Sequence, residues 1–218
     1  MDTFIYPTAT RGKLRIAVVT ETYPPEINGV ARTVGLMVDA LRARGHDVQL
    51  IRPRQGAEPD APADSSLRQR LVLGVPIPVY RDLRMGLVSR RSLQREWGQW
   101  RPDLVHVVTE GPLGWVAVAA AKHLGIPVSS DFHTNFHSYS RHYGFGVFTR
   151  VVARYLRTLH NRADCTLVPT AEMKTHLETL SFERVMVVEA IQREILDIKP
   201  SRQGNIPGLL LGRLIQIT

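Results

Sequence analysis

Apolar and polar positions follow two rhythms along this chain: short β-branched runs, and longer stretches in which apolar residues recur every three to four positions. Residues 14–20 (LRIAVVT) form a continuous apolar run, the pattern of a strand buried on both faces of a parallel sheet. After a Pro-rich loop, 30–44 places Val30, Val34, Met37, Val38 and Leu41 on one helical face, with Gly45 positioned to close the helix. A strand at 47–51 follows, then a Pro-, Ala- and Asp-rich loop at 54–66. A strand at 77–80 leads into a basic stretch over 81–101. The second part of the chain reads as strand 103–109 (DLVHVVT), small-residue helix 115–124 closed by Gly125, strand 126–131, helix 147–162, strand 165–169, helix 172–179 and strand 184–188. Such alternation predicts an α/β fold with a doubly wound parallel sheet. Right-handed crossovers then gather the strand-to-helix loops at one edge, where open sheets bind ligands. The loops after Thr20, Thr109, Asp131 and Pro169 are therefore the places to look for chemistry.

Composition changes this picture little. The 218 residues are 44% hydrophobic and 22% charged, as in ordinary globular domains. Cys165 is the single cysteine, which excludes an intrachain disulfide framework and a thiolate zinc cluster and points to a reducing, cytoplasmic setting. No run approaches the roughly 18 apolar residues of a membrane-spanning helix. The net charge of +8 fits either a merely basic surface or an anionic partner such as a lipid or a phosphorylated substrate. A nucleic-acid role lacks a recognised motif, and none is expected.

The first loop reads Glu21-Thr22-Tyr23-Pro24-Pro25-Glu26-Ile27-Asn28-Gly29-Val30. Asn28-Gly29 suits backbone angles closed to most residues, and Gly29 stands where a helix N-terminus favours an anion. Two readings stand side by side: a phosphate contact, or simply a turn and a cap. One glycine does not make a dinucleotide fingerprint, the second strand ends in Arg52 instead of an acid, and no P-loop occurs.

A second cluster, Asp131-Phe132-His133-Thr134-Asn135-Phe136-His137-Ser138-Tyr139 with Arg141 and His142, follows a strand. Asp131 and His133 should emerge at the ligand-bearing edge, where a histidine can donate to a substrate. The alternatives are a structurally satisfied His133 and a metal held by His133 and His137, although no H-E-x-x-H pattern is present. In the third loop, Gly111 and Gly114 suit a tight turn, while Glu110 is placed to hold a sugar hydroxyl or a polar neighbour. His106, inside its strand, is expected to be buried and hydrogen-bonded. The stretch with Arg81, Arg84, Arg90 and Arg91 is partly amphipathic through Leu83, Met85, Leu87, Val88, Leu93 and Trp97; it suits an anionic bilayer surface or a solvated helix face.

Five segments in order, RIAVVTETYPPEINGVARTV, LRARGHDVQLIRP, PDLVHVVTEGPLGWVA, GIPVSSDFHTNFHSYSRHYG and ADCTLVPTAEMKTHLETLSFERVMVV, resemble the N-terminal domain of GT-B glycosyltransferases of family 4. The bacterial members concerned are GDP-mannose-dependent α-mannosyltransferases, phosphatidylinositol mannosyltransferases and sulfoquinovosyltransferases. The resemblance implies a Rossmann-like, acceptor-side domain facing a donor-binding partner domain across a cleft. It implies transfer with retention from a nucleotide sugar, GDP-mannose or a UDP-sugar, to a lipid or glycan acceptor, with no cofactor and no metal. Within it, Asn28, Gly29 and Val30 correspond to the donor-diphosphate loop and His133 to the catalytic histidine near the transferred sugar. Glu110, Asp131, Thr134, Asn135 and Arg141 are the further candidate substrate contacts. Arg81, Arg84, Arg90 and Arg91 are the candidate membrane contacts, with a peripheral location at the inner face of the plasma membrane.

Departures from the family pattern fall at the end. Where relatives of this kind carry G-V-D-x-x-x-F, this chain reads EAIQREILDIKPSRQ, and only Leu211-Gly212-Arg213-Leu214 resembles the start of a second domain. The expected organisation is a disordered tail at 1–13, the domain at 14–189, and an aberrant or truncated start of a donor-binding domain at 190–218. On that expectation, activity by this chain alone is weak or absent.

Overall fold

A computed structural model of the protein describes residues 12–55, 58, 67–76, 84–133 and 147–188. The chain order is β1 (Arg15–Val19), α1 (Gly29–Ala43), β2 (Asp47–Pro53), β3 (Leu67–Pro76), β4 (Arg84–Leu87), α2 (Arg90–Trp100), β5 (Leu104–Val107), α3 (Pro112–His123), β6 (Val128–Asp131), α4 (Val147–His160), β7 (Cys165–Val168), α5 (Ala171–Thr179) and β8 (Val185–Val187). One eight-stranded sheet runs β4-β3-β2-β1-β5-β6-β7-β8, parallel throughout except for the antiparallel β3–β4 pair. The doubly wound α/β fold is present, with one antiparallel edge strand added to the parallel sheet.

Strand order reverses direction between β1 and β5. From β1 the chain steps outward to β2 and β3; from β5 it steps the other way to β6, β7 and β8. This is the topological switch point, the crevice where doubly wound sheets take ligands. Alternation along the strands sends Ile16, Val18, Val48, Leu50 and Leu104 into a cluster with Val34, Met37, Val38 and Leu41 of α1. Ala17, Val19, Ile51, Val105 and Val107 point the other way, against Leu93 and Trp97 of α2 and Leu113, Ala117 and Val118 of α3. A third cluster joins Leu156 of α4 and Leu177 of α5 to Val168, Val185, Phe132 and Phe182. The helical face expected for α1 is the buried one, and Gly45 ends that helix at φ +84°.

Two sequence expectations change. Strand β3, 67–76, begins immediately after the expected loop and ahead of the strand expected at 77–80, which lies outside the described residues. Its Arg- and Gln-rich text conceals a strand because β3 lies near the sheet border and many of its side chains stay partly exposed. The basic stretch 81–101 is not one amphipathic element. It divides into β4 and α2, and Leu93 and Trp97, expected on an apolar surface face, are fully buried. Trp97 Nε1 donates to Gln49 Oε1 at 2.8 Å, which satisfies a polar side chain inside the core.

Candidate functional site

The loop from β1 to α1 is built around Asn28. Its extended backbone and its Oδ1, accepting from Ala31 N at 2.8 Å, cap α1, while its Nδ2 donates to Thr22 Oγ1 at 2.7 Å. Thr22 in turn donates to Glu26. Neither Asn28 nor Gly29 has a positive φ, so the special backbone angles expected of this pair are not used. A Cβ built at Gly29 meets no described residue within 4 Å, so a group can approach this start of α1 closely. Gly29 borders an open depression of about 610 Å³ lined by Pro24, Ile27, Asn28, Arg32 and Leu36, with Ile27 fully exposed. Val30 turns partly inward against the α1 cluster. Burial raises the Glu26 pKa, against the hydrogen bonds from Thr22 and Asn28.

The neighbouring loop, from β5 to α3, is closed. Glu21, immediately after β1, reaches across to it and accepts from Leu113 N at 3.1 Å and from Gly86 N of β4 at 3.3 Å. Its own N–H donates to Thr109 Oγ1 at 2.8 Å. Gly111, the N-cap of α3, has no side chain to cap the helix, and a Cβ there would overlap the Glu21 carboxylate. A Cβ at Gly114 would overlap the Thr109 carbonyl. Burial pushes the Glu21 carboxyl up to about 7, only partly opposed by the two backbone donors, and the charge of Glu110 adds to the rise.

At the end of β6, Asp131 Oδ2 lies 3.2 Å from His106 Nε2 and 3.4 Å from His133 Nε2. His106 is buried as expected, and its Nδ1 meets Ser129 Oγ at 2.8 Å. Burial opposes the Asp131 charge, yet the two rings hold its carboxyl well below the usual carboxylate range. Burial likewise works against a charged His133, but the hydrogen bond and charge of Asp131, with the charge of Glu110, raise its pKa overall. On the opposite face of β6, Ser130 Oγ meets His160 Nδ1 at 2.9 Å and Thr166 Oγ1 at 3.2 Å. Glu110 lies between these networks: Oε1 accepts from His133 N at 3.4 Å and sits 3.8 Å from His160 Nε2. Tyr155 donates to the Glu110 carbonyl at 2.8 Å and stacks on Trp115 with 5.1 Å between ring centroids.

Asn28, Gly29, Glu110, Asp131 and His133 thus stand at the carboxyl edge of the sheet, on the loops expected to carry them. Thr134, Asn135, Arg141 and Arg81, with His137 of the His133/His137 spacing, lie outside the described residues. Among the described residues, no group of three His, Cys, Asp or Glu side chains is placed to hold a metal, and no helix is long and apolar enough to cross a membrane. Arg84 donates to Gly74 O at 3.2 Å within the β3–β4 ribbon, whereas Arg90 and Arg91 are exposed in the first turn of α2. Arg52 pairs with Glu58 and lies over the Tyr23 ring. Glu21, Ser129, Ser130, Tyr155 and His160 were given no role from sequence. For Glu21 the available signal was an acid directly after a buried strand. For the serines it was polar text inside the strand segment VSSD.

Fold and edge together define a Rossmann-like, doubly wound domain of the kind that forms half of a GT-B fold. Sucrose-phosphate synthase from Thermosynechococcus elongatus has this fold, with a TM-score of 0.55 at 12% identity over 84% of this chain and 53% of that one. Residues 27–189 match Glycosyltransferase Family 4, and the chain belongs to that family. It is 33% identical over 174 residues to a GDP-mannose-dependent alpha-mannosyltransferase of Mycolicibacterium smegmatis, covering 79% of this chain and 46% of the relative. It is 26% identical over 200 residues to an alpha-monoglucosyldiacylglycerol synthase of Streptococcus pneumoniae, covering 90% of this chain and 45% of the relative. The chain spans less than half the length of these curated relatives.

Proposed function

We propose that this domain is the acceptor-side half of a retaining glycosyltransferase. It would act in moving a mannosyl or related hexosyl unit from GDP-mannose or a UDP-sugar to a lipid or glycan acceptor. The observation that carries the reading is the open N-terminus of α1. With no described residue within 4 Å of where a Gly29 side chain would stand, a diphosphate can lie against the backbone, and the helix dipole favours its charge. Sugar departure leaves negative charge on that diphosphate, and oriented N–H groups stabilise it without a resident metal. His133, on an adjacent part of the edge, supplies a hydrogen bond to the transferred sugar. The mannosyltransferase and glucosyldiacylglycerol synthase relatives support the hexosyl and lipid parts of this reading.

Transfer from labelled GDP-mannose and UDP-glucose to lipid extracts tests it. The chain would be assayed alone and joined to the remaining part of the M. smegmatis relative. The joined protein should transfer sugar with the anomeric configuration kept, and His133→Ala should lower kcat ~100-fold without shifting the thermal transition. Unchanged turnover in that variant removes the role of His133.

Peripheral contact with the inner, anionic face of the plasma membrane belongs to the same proposal. Leu73, where β3 runs past β2, and Leu87 of β4 are cross-strand partners, both exposed. Arg90 and Arg91 follow at the start of α2, where the helix dipole disfavours cations, so an external anion would relieve them. Co-sedimentation should be stronger with vesicles containing anionic lipid than with neutral ones and weaken with salt. Equal binding to both vesicle types contradicts the contact.

A further inference from the structure

His133 is not an isolated side chain at the edge of the sheet; it is the outer end of a line of four polar groups. Register pairs His106 with Ser129, and Asp131 lies two residues along β6 from Ser129, so all three side chains share the α1 face. Ser129 Oγ meets His106 Nδ1 at 2.8 Å; His106 Nε2 and His133 Nε2 reach the same oxygen, Asp131 Oδ2, at 3.2 and 3.4 Å. The donors and acceptors can be assigned from one end. An ionised carboxylate only accepts, so both Nε2 atoms must carry hydrogen. A neutral His106 with hydrogen on Nε2 then has Nδ1 as an acceptor, which fits the Ser129 hydroxyl as donor. In either charge state of His106, its Nε2–H donates into Asp131, where it meets the donation from His133.

We propose that Asp131 is the positioning residue for His133, fixing hydrogen on Nε2 and leaving Nδ1 as the ring nitrogen that serves the substrate. Ser129 and His106 hold Asp131 from behind, at 0% and 1% exposure, so its carboxylate cannot turn away without stranding a buried ring. Among the described residues, the charged groups facing His133 are Asp131 on β6 and Glu110 in the β5–α3 loop, with His106 behind Asp131. Both carboxylates favour an imidazolium. A charged His133 donates through Nδ1–H to an electron-rich oxygen, and a neutral one accepts there. The substrate part of this inference rests on the reading of His133 as a sugar contact; the tautomer does not.

Histidine-selective ¹⁵N NMR on the full chain separates the two. His133→Gln assigns the resonance by its loss. In the native protein, neutral His133 should be protonated at Nε2, and its pKa should lie above the ordinary value near 6.5. In Asp131→Asn the proton affinity should fall at least ~10-fold, one pKa unit, and the tautomer preference should weaken. Glu110→Gln should lower the proton affinity by less and leave the tautomer unchanged. Hydrogen on Nδ1 in neutral native His133 overturns the proposal, even if Asp131→Asn fails to fold. So does an unaltered titration in a folded Asp131→Asn. Both readings are made without donor or acceptor, so a failed transfer assay of the joined enzyme is a separate result.

Discussion

Two strand-to-helix turns lie side by side at the switch point of the sheet, and they treat their helix N-termini in opposite ways. The turn from β1 caps α1 with its own Asn28 and keeps open space in front of Gly29. The turn from β5 begins α3 with a glycine that has no side chain to cap it, and Glu21 from the first turn accepts from the Leu113 N–H. Both turns depend on glycine, but for contrary reasons: Gly29 leaves room outside the protein, whereas Gly111 leaves room for a carboxylate inside it. An anion offered to this edge therefore finds the Leu113 N–H of α3 already bonded by Glu21, whereas α1, capped by Asn28, leaves room in front of Gly29 among the described residues. Glu21 also bonds Gly86, so one side chain ties the first turn, α3 and the edge strand β4 together.

The same substitution in both turns should break them unequally. Gly111→Ala forces the Glu21 carboxylate out and strands the N–H groups of Leu113 and Gly86, with an expected loss of about 2–4 kcal/mol. Gly29→Ala should change stability by no more than ~0.5 kcal/mol, since alanine favours a helix and meets no neighbour. In the joined enzyme, however, it should weaken donor binding. Urea unfolding of the pair measures the contrast; equal losses would mean that the two turns are not built differently.

A smaller effect should follow pH. A carboxyl whose pKa rises from 4.5 to about 7 on folding holds its proton more tightly in the folded state. Its stabilising contribution is complete below about pH 4.5 and is lost as the pH climbs to about 7, on the order of 3 kcal/mol at most. Glu21→Gln keeps an acceptor for the two backbone donors and does not titrate. The stability of the native protein relative to this variant should therefore decline between pH 4.5 and 7 and level off above. Parallel unfolding profiles across that range would show that Glu21 ionises as an ordinary exposed acid.

Much of this could be read from residue order because it depends on local pattern. The apolar stripe of α1, the buried runs of β1 and β5 and the glycine stop at Gly45 each reflect periodicities of a few residues. Strand β3 escaped because its polar text lacks the pattern of a doubly buried strand. The burial of Leu93 and Trp97 escaped because spacing shows that a face is apolar but not what covers it. The candidate site divides the same way: Asn28-Gly29 and Asp131-Phe132-His133 follow buried strands and were found, whereas the role of Glu21 was not.

By itself, then, the sequence determined the alternation of strand and helix, the loops that carry Gly29, Glu110 and His133, and the family likeness those loops display. Only the tertiary structure decided which helix N-terminus stays open and which histidine nitrogen is held. The physical reason is distance along the chain. Glu21 finds its partners 65 and 92 residues away, and Asp131 reaches His106 across 25. Such contacts arise only when parallel strands are laid side by side, and no local pattern records them.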